Sequence, residues 1–306
     1  MRDAFVEELT LLAESDFNVV LITADLGFGV FDEFSEKCPN QFLNVGVAEQ
    51  NMMMIAAGMA LEGKKVYAYS IGNFPTLRCL EQIRNDICYH DLNVTIIGMG
   101  GGFSYGQLGM SHHATEDLSI IRALPKIKVL APGTSNEVRG AVKSLYESLG
   151  PAYLRLDKSK HFITDESFCF QLGKAYKLRE GDSVTLISSG GILEEVVKAA
   201  DDLKERGIFC RVLSMHTVKP IDIDALKDAA INTGGIISIE ENSIIGGLGG
   251  AIAESCFEYG IQPNFFKRIG LDDTYSSIVG DQKYLRNHYK MNAESIVKIV
   301  KGLIEK

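Results

Sequence analysis

The chain of 306 residues alternates short apolar segments with helical segments along nearly its whole length. The first apolar segments are NVVLITAD at 18–25, VYAYSI at 66–71 and NVTIIGM at 93–99. Continuous apolar runs of this length are typical of strands buried on both faces of a parallel sheet. Because parallel strands need a crossover between them, the alternation predicts an α/β fold built from doubly wound, mostly parallel sheets.

The alternation is interrupted over residues 158–182, where turns bounded by glycine replace the helical period. It resumes with SVTLISSG at 183–190 and continues to a terminal helix at 293–305. We therefore expect two domains, 1–160 and 183–306, joined by a linker at 161–182. A surface hairpin is the alternative explanation of the interruption.

Composition argues against several classes of partner. The net charge is -9 and the sequence has no basic stripe, so nucleic acid is not expected to bind. No apolar run approaches a membrane span, and residues 1–16 form an amphipathic helix rather than a secretory signal, so we expect a cytoplasmic protein without membrane association. The six cysteines contain no C-x-x-C pair, which predicts reduced thiols and no metal site on this chain.

One carboxylate lies where a strand ends and a helix begins. Glu49 follows a polar turn at 44–47 and precedes a run rich in Met and Ala at 50–61. Ligands of open α/β sheets gather at such junctions, because loops and helix N-termini offer free N–H groups there. An acidic residue in a first turn can also be only a favourable charge on the helix dipole. Position alone leaves both interpretations open.

The segments around Glu49 resemble the pyrimidine-binding domain of the transketolase family of thiamine diphosphate enzymes. They are GVAEQ at 46–50, the strand at 66–71, NFPTLRCLEQIRND at 73–86 and GGGFSYGQLGMSHHATED at 100–117. The resemblance implies that Glu49 hydrogen-bonds as a carboxylic acid to the aminopyrimidine ring and promotes loss of the thiazolium proton.

The second half of the chain resembles the C-terminal domain of the same family. The matching segments occur in the family order and are SSGG, HTVKPID and EENSIIGGLGG. The family binds the diphosphate and Mg²⁺ through a separate domain with a Gly-Asp-Gly motif and a later Asn, and this sequence contains no such element. The resemblance therefore implies a split enzyme, in which an N-terminal transketolase subunit supplies the Mg²⁺ ligands and the active assembly is an α2β2 heterotetramer.

Three further residues are expected to bind the cofactor. The resemblance implies that Phe74 stacks on the aminopyrimidine ring and that Asp25 lines the thiazolium side. Arg78 lies where the related deoxyxylulose-phosphate synthases carry an Arg for a substrate phosphate, so it is expected to contact both cofactor and substrate. A core position for Phe74, and a surface salt bridge from Arg78 to Glu81 or Asp117, are the alternatives.

The resemblance also implies a set of residues that bind small sugar substrates. His112 matches the His of the family's T-H-Q segment, which faces the substrate and is expected to be catalytic, although the neighbouring His113 could be the inward residue instead. Arg155 matches an Arg that grips the acceptor phosphate, and Arg2 matches a second one.

The sequence departs from the family pattern in the substrate site. Leu108 replaces an Asp that contacts a sugar hydroxyl, Gly100 replaces a phosphate-binding His, and Gly29 replaces a Ser. Because a leucine side chain cannot accept a hydrogen bond, the substrate is expected to differ from the ordinary pentose phosphates.

The activity implied by the resemblance is transfer of a two-carbon ketol unit from a ketose donor to an aldose acceptor. The alternatives are the β subunit of a 2-oxo acid dehydrogenase, an enzyme similar to deoxyxylulose-phosphate synthase, and a non-catalytic interaction protein that kept the fold. An intact Glu49 argues against the last of these.

Overall fold

The computed structural model describes residues 1–27, 29–159 and 168–305. The strands within these ranges are β1 (Val19–Thr23), β2 (Phe42–Asn44), β3 (Lys65–Ile71), β4 (Val94–Met99), β5 (Lys128–Leu130), β6 (Ala152–Leu156), β7 (Tyr176–Arg179), β8 (Val184–Ser189), β9 (Cys210–Ser214), β10 (Thr217–Lys219), β11 (Ile236–Ser243) and β12 (Phe266–Leu271). The α-helices are α1 (Arg2–Ser15), α2 (Asp32–Lys37), α3 (Glu49–Leu61), α4 (Leu80–Gln82), α5 (Asp117–Arg122), α6 (Ser135–Glu147), α7 (Leu193–Lys204), α8 (Ile223–Asn232), α9 (Leu248–Glu258), α10 (Gln282–His288) and α11 (Ala293–Ile304).

The described strands form two sheets. The first has the order β10-β5-β6-β4-β3-β1-β2 and the second has the order β12-β11-β8-β9-β7. Among the described strands, all pairings are parallel except β10 with β5 and β7 with β9. This confirms the predicted α/β class with mostly parallel sheets.

Both faces of each sheet are covered by apolar side chains. In β1, Val20 and Ile22 belong to one apolar cluster, whereas Val19 and Leu21 belong to another. Alternate residues of a strand point to opposite faces, so helices pack on both sides of the first sheet. Residues of β8 and β11 are divided in the same way between two clusters of the second sheet. The continuous apolar runs of the sequence follow from this double burial.

The segment between the domains differs from the expected linker at 161–182. Strand β7 lies inside that segment and pairs with β9 at the edge of the second sheet. Its residues alternate between half-buried and exposed, and four residues are too few to give a clear period in the sequence. Residues 160–167 lie outside the described ranges.

Residues 77–88, between β3 and β4, form a series of short helical segments. A 3-10 turn at Leu77–Cys79 leads into α4, and a π-helix follows at Ile83–Cys88.

Across the described ranges, no helix combines the length and apolar character that a membrane crossing requires.

Parallel pairing brings several loops to one edge of the first sheet. Strands β4, β3, β1 and β2 are adjacent and point the same way, so the loops that follow them meet at their carboxyl ends. These loops carry Gly100, Phe74, Asp25 and Glu49, respectively. The predicted site residues are therefore gathered by the topology of the sheet.

Candidate cofactor and substrate site

Glu49 is the first residue of α3 and is buried, with 3% of its surface exposed. The turn before it needs a glycine, because Gly46 has a φ of +74°. The Gly46 N–H donates to Asn44 Oδ1 at 3.0 Å, and the Ala48 N–H donates to the Gly46 carbonyl at 2.7 Å. This tight turn directs the start of α3, and the carboxylate with it, toward the carboxyl edge of the sheet.

The Glu49 carboxylate is paired with Arg78. Nη1 of Arg78 donates to Oε2 of Glu49 at 2.7 Å, and the side chain of Arg78 remains 46% exposed. The guanidinium carbon also lies 4.6 Å from the centre of the Phe74 ring. Gln50 holds the backbone of this segment, since its Nε2 donates to the Arg78 carbonyl at 3.1 Å. The salt-bridge partner of Arg78 is thus Glu49, rather than Glu81 or Asp117.

His112 lies against the same aromatic ring. The rings of Phe74 and His112 are 5.3 Å apart at an angle of 69°, an edge-to-face arrangement. Ser111 Oγ lies 3.0 Å from Nδ1 of His112, so the neighbouring hydroxyl holds one end of the imidazole. Glu49, Arg78, Phe74 and His112 therefore form one continuous cluster, called here the edge cluster.

His113 has different contacts from His112. It is 3% exposed, and its Nε2 lies 3.1 Å from the Gly106 carbonyl. A carbonyl only accepts hydrogen bonds, so this nitrogen carries the proton. The ring also packs edge-to-face on Phe103 at 5.2 Å. Of the two neighbouring histidines, His112 is the one whose ring contacts Phe74.

Asp25 lies at the same sheet edge and joins two loops. Its backbone N–H donates to Asn44 Oδ1 at 2.9 Å, and Asn44 Nδ2 donates to Asp25 Oδ1 at 3.2 Å. Asp25 has a φ of +56°, a conformation that aspartate tolerates better than most residues. These hydrogen bonds tie Asp25 to the turn before Glu49 rather than to the edge cluster itself.

Arg155 lies in a buried part of the first sheet. Strand β6 continues to Leu156, so Arg155 is inside the strand and only 2% exposed. Its Nη1 donates to Asp117 Oδ1 at 3.4 Å and its Nη2 donates to the Glu241 carbonyl at 2.8 Å. Burial opposes the charge, but the carboxylates of Asp117 and Asp157 raise the pKa of Arg155 above its ordinary value. In this structure Arg155 is thus a buried ion-pair residue, and its role as a phosphate ligand stays a prediction.

Lys158, which sequence reasoning missed, is the exposed cation beyond that strand. Its Nζ lies 3.9 Å from the centre of the Tyr105 ring. Burial lowers the pKa of Lys158, and the positive charge of Arg2 lowers it further. Arg2 itself is exposed at the start of α1, with Nε 3.0 Å from Asp3 Oδ1. The signal that could have found Lys158 is its place just after a buried strand, where ligands of parallel sheets bind.

The departures from the family pattern have local causes. Gly100 has a φ of +88°, and a Cβ there would lie 2.1 Å from Cε2 of Tyr105, so a histidine cannot fit beside that ring. Gly29 has a φ of +69°, which favours glycine over serine. Leu108 ends a 3-10 turn at Gly106–Leu108 and is 55% exposed.

A cavity of about 320 Å³ lies beside the edge cluster. Its walls include Asn73 and Leu77, which flank Phe74 and Arg78 in the sequence, Met110 and His113, and Tyr275 from the second half of the chain. A larger cavity of about 420 Å³ lies between α7, α10 and α11 and contacts none of these residues. The smaller cavity extends the site with apolar surface contributed by both domains.

Two family models match the chain. The model of the transketolase pyrimidine-binding domain matches residues 1–162, and the model of the transketolase C-terminal domain matches residues 173–296. The chain belongs to the transketolase family.

Relatives of this transketolase-family chain include separately encoded subunits. It is 34% identical to one subunit of the apulose-4-phosphate transketolase of Phocaeicola vulgatus, over 100% of this chain and 97% of the relative. It is 35% identical to the 6-deoxy-6-sulfo-D-fructose transketolase subunit SqwH of a Clostridium species, over 100% of this chain and 95% of the relative. A solved split-gene transketolase, described as an inactive β4 tetramer, superimposes with a TM-score of 0.91 at 34% identity, and the match covers 99% and 98% of the two chains.

The edge cluster fits the aminopyrimidine ring of thiamine diphosphate, the cofactor of transketolases. The Arg78 guanidinium is flat and donates N–H bonds, and it already lies against the Phe74 ring and on the Glu49 carboxylate. An aminopyrimidine ring has the same two properties, namely a flat face and a polar edge that pairs with a carboxyl group. In this structure the Arg78 guanidinium lies against the Phe74 ring and pairs with the Glu49 carboxylate.

Proposed function

We propose that this chain is one subunit of a split transketolase, which transfers a two-carbon ketol unit from a ketose donor to an aldose acceptor. The observation that carries the proposal is the edge cluster, in which a buried Glu49 and the Phe74 ring lie together at the carboxyl edge of the first sheet. The partner in this proposal is an N-terminal transketolase subunit that holds the diphosphate and Mg²⁺. The assembly is an α2β2 heterotetramer.

Each residue of the site has a role in this proposal. When bound, thiamine diphosphate supplies the carbon nucleophile that carries the ketol unit. Glu49 donates a hydrogen bond as a carboxylic acid to the aminopyrimidine ring, the Phe74 ring stacks on it, and Asp25 lines the thiazolium side. His112 hydrogen-bonds to substrate oxygens and exchanges protons with them. Because these groups are fixed by the sheet edge, they are oriented before the substrate arrives.

We assign the charged end of the substrate to Lys158 and Arg2. They are exposed cations just beyond the end of β6 and at the start of α1, and the pKa of Lys158 is lowered by burial and by the positive charge of Arg2. A phosphate or a sulfonate fits this pair, and the named substrates of the relatives carry one or the other. A location in the cytoplasm agrees with the free thiols of all six cysteines.

The partner subunit is proposed to cover the outer face of α3. From Met52 to Leu61 this helix carries only apolar residues and one glycine on all its sides, which is typical of buried helices. Met52 and Met53 are buried, yet Met54 is 49% and Leu61 66% exposed. Because α3 begins at Glu49, a chain that packs on this face lies beside the edge cluster.

The activity is tested by mixing the purified chain with its partner subunit and supplying a panel of ketose donors and aldose acceptors. We expect transfer of a two-carbon unit when the panel supplies a linear or branched sugar phosphate, or a sulfosugar, as a substrate. Decarboxylation of a 2-oxo acid, without ketol transfer, would instead favour the β subunit of a 2-oxo acid dehydrogenase.

Replacement of Arg78 tests how the cofactor enters the edge cluster. We expect Arg78→Met to tighten binding of thiamine diphosphate to the assembled enzyme by roughly three- to tenfold, since the guanidinium no longer competes for Glu49. Calorimetric titration measures the change. Arg84→Met is the control, because Arg84 donates to the exposed Asn85 side chain and lies outside the edge cluster. Weaker cofactor binding in Arg78→Met would mean that Arg78 holds the cofactor directly.

Replacement of Leu108 tests substrate selectivity. A site built to pair a hydroxyl rejects substrates that lack it, and an exposed leucine cannot make that pair. We expect Leu108→Asp to raise activity on xylulose 5-phosphate and ribose 5-phosphate, relative to the native substrates, by about tenfold, which corresponds to about 1.4 kcal/mol. Steady-state kinetics provide the measurement. Efficient turnover of both sugars by the unmodified enzyme, with only impairment in the variant, would contradict this prediction.

A further inference from the structure

The loop that carries His112 is closed at its base by a short antiparallel bridge. The Gly102 N–H donates to the Ala114 carbonyl at 2.8 Å, and the Ala114 N–H donates to the Gly102 carbonyl at 3.0 Å. Residues 103–113 lie between these two anchors and include His112. The first residue of this loop, Phe103, is held by the second domain, since its N–H donates to Oε1 of Glu241 at 2.6 Å.

Glu241 is fixed on every side of its carboxylate. It lies on β11 and is 3% exposed. Its Oε2 accepts from Nε of Arg286 at 2.6 Å, and its Oε1 also accepts from Nε2 of Gln282 at 2.9 Å. The aliphatic part of the side chain fills the space beside Gly102, where an added Cβ would lie 2.6 Å from Cγ of Glu241.

The partners of Glu241 are themselves restrained. Arg286 is 3% exposed and donates from Nη1 to Oε1 of Glu194 at 2.5 Å. The Phe103 ring stacks on Tyr289 with centres 5.4 Å apart. The base of the loop is thus bound to β11, α7 and the end of α10 through these contacts.

We propose that Glu241 is a positioning residue for the reaction, acting through the loop that presents His112. The edge cluster comes wholly from the first domain, so the second domain influences it by fixing the backbone of this loop at Phe103. This inference rests on the proposed function, because it requires that His112 faces the substrate. A histidine displaced by about 1 Å can lower a rate by about a hundredfold, so the restraint matters for the chemical step.

Glu240 offers a matched control. It is the neighbouring residue on β11 and is also buried, but its carboxylate accepts from the Leu248 and Gly249 N–H groups at 2.7 and 2.8 Å. These bonds cap the start of α9 rather than hold the loop. Glu240→Gln and Glu241→Gln therefore make the same substitution at adjacent buried positions, while only the second change concerns the loop.

The first test uses the isolated chain and needs neither partner nor cofactor. In Glu241→Gln, one carboxylate oxygen becomes an NH2 group, which cannot accept from the Phe103 N–H or from Arg286, so we expect amide hydrogen exchange over residues 103–114 to rise by about tenfold or more. Glu240→Gln should raise exchange at the start of α9 and leave the loop protected. Equal loop protection in both variants would overturn the proposal.

The second test uses the assembled enzyme. We expect Glu241→Gln to lower kcat by about ten- to a hundredfold, with KM and the Kd of thiamine diphosphate changed by less than about threefold, whereas Glu240→Gln lowers kcat by less than about threefold. Similar losses of kcat in both variants would reduce Glu241 to a general structural role and overturn the proposal.

A milder variant covers the case in which Glu241→Gln does not fold. Gln282→Ala leaves Glu241 intact and removes one donor to its carboxylate, together with a 3.4 Å hydrogen bond to Ser104 Oγ in the loop, so it should raise loop exchange and lower kcat by smaller factors than Glu241→Gln does. Unchanged exchange and kcat would contradict the proposal. An unmodified enzyme without ketol transfer would refute the proposed function, while the exchange experiment would still decide whether Glu241 orders the loop.

Discussion

Glu49→Gln is expected to slow exchange of the thiazolium C2 proton in the assembled enzyme by roughly two to four decades, the usual scale for loss of a general acid or base. Glutamine keeps the shape of the side chain and one hydrogen-bond partner for the ring, but it has no acidic proton to share. Exchange into deuterated solvent, quenched in acid and followed by proton NMR, measures the rate.

Glu62→Gln is the control for this experiment, because Glu62 follows the same helix at its opposite end and is exposed. It should leave the exchange rate unchanged. Cofactor affinity in Glu49→Gln should fall far less than the exchange rate does. An unaltered rate in Glu49→Gln would mean that the carboxylate only complements the dipole of α3.

Arg155→Met is expected to reduce the free energy of unfolding by about 3 to 5 kcal/mol, as removal of one member of a buried ion pair does elsewhere. Asp117 is fully buried and would keep the hydrogen bond from the Tyr153 hydroxyl, at 2.6 Å, without its guanidinium partner. Burial already raises the pKa of Asp117, and loss of the neighbouring guanidinium removes the largest opposing influence. Urea denaturation of the isolated chain measures the difference.

An exposed ion pair provides the comparison for Arg155. Arg139 pairs with Glu7 on the surface, and both side chains are more than 40% exposed. Arg139→Met should cost less than about 1 kcal/mol. If Arg155→Met were as stable as the unmodified chain and only raised KM for a phosphorylated acceptor, the phosphate-binding role expected from the sequence would be supported.

The sequence predicted the features that depend on neighbouring residues. Alternating apolar and helical segments indicated the parallel sheets, because burial on both faces of a strand imposes a continuous apolar run. The position of Glu49 after a polar turn indicated a helix start at the sheet edge. The family resemblance, carried by segments in both halves of the chain, was confirmed by the family models.

The features that the sequence did not predict depend on distant residues or on where an element ends. The pairing of β10 with β5 joins segments far apart in the chain. Because β6 reaches Leu156, Arg155 is buried inside the strand, whereas Lys158 lies exposed beyond its end. Likewise, the bond from Phe103 to Glu241 spans 138 residues and has no local signal.

Calorimetric titration with thiamine diphosphate and Mg²⁺ tests directly whether this chain holds half of a cofactor site, as proposed. The isolated chain should give little or no binding heat, because the proposed diphosphate and Mg²⁺ ligands belong to the partner subunit. Addition of that subunit should create magnesium-dependent binding in the micromolar range, with sites in equal number to this chain. Micromolar, magnesium-dependent binding to the isolated chain would contradict the account.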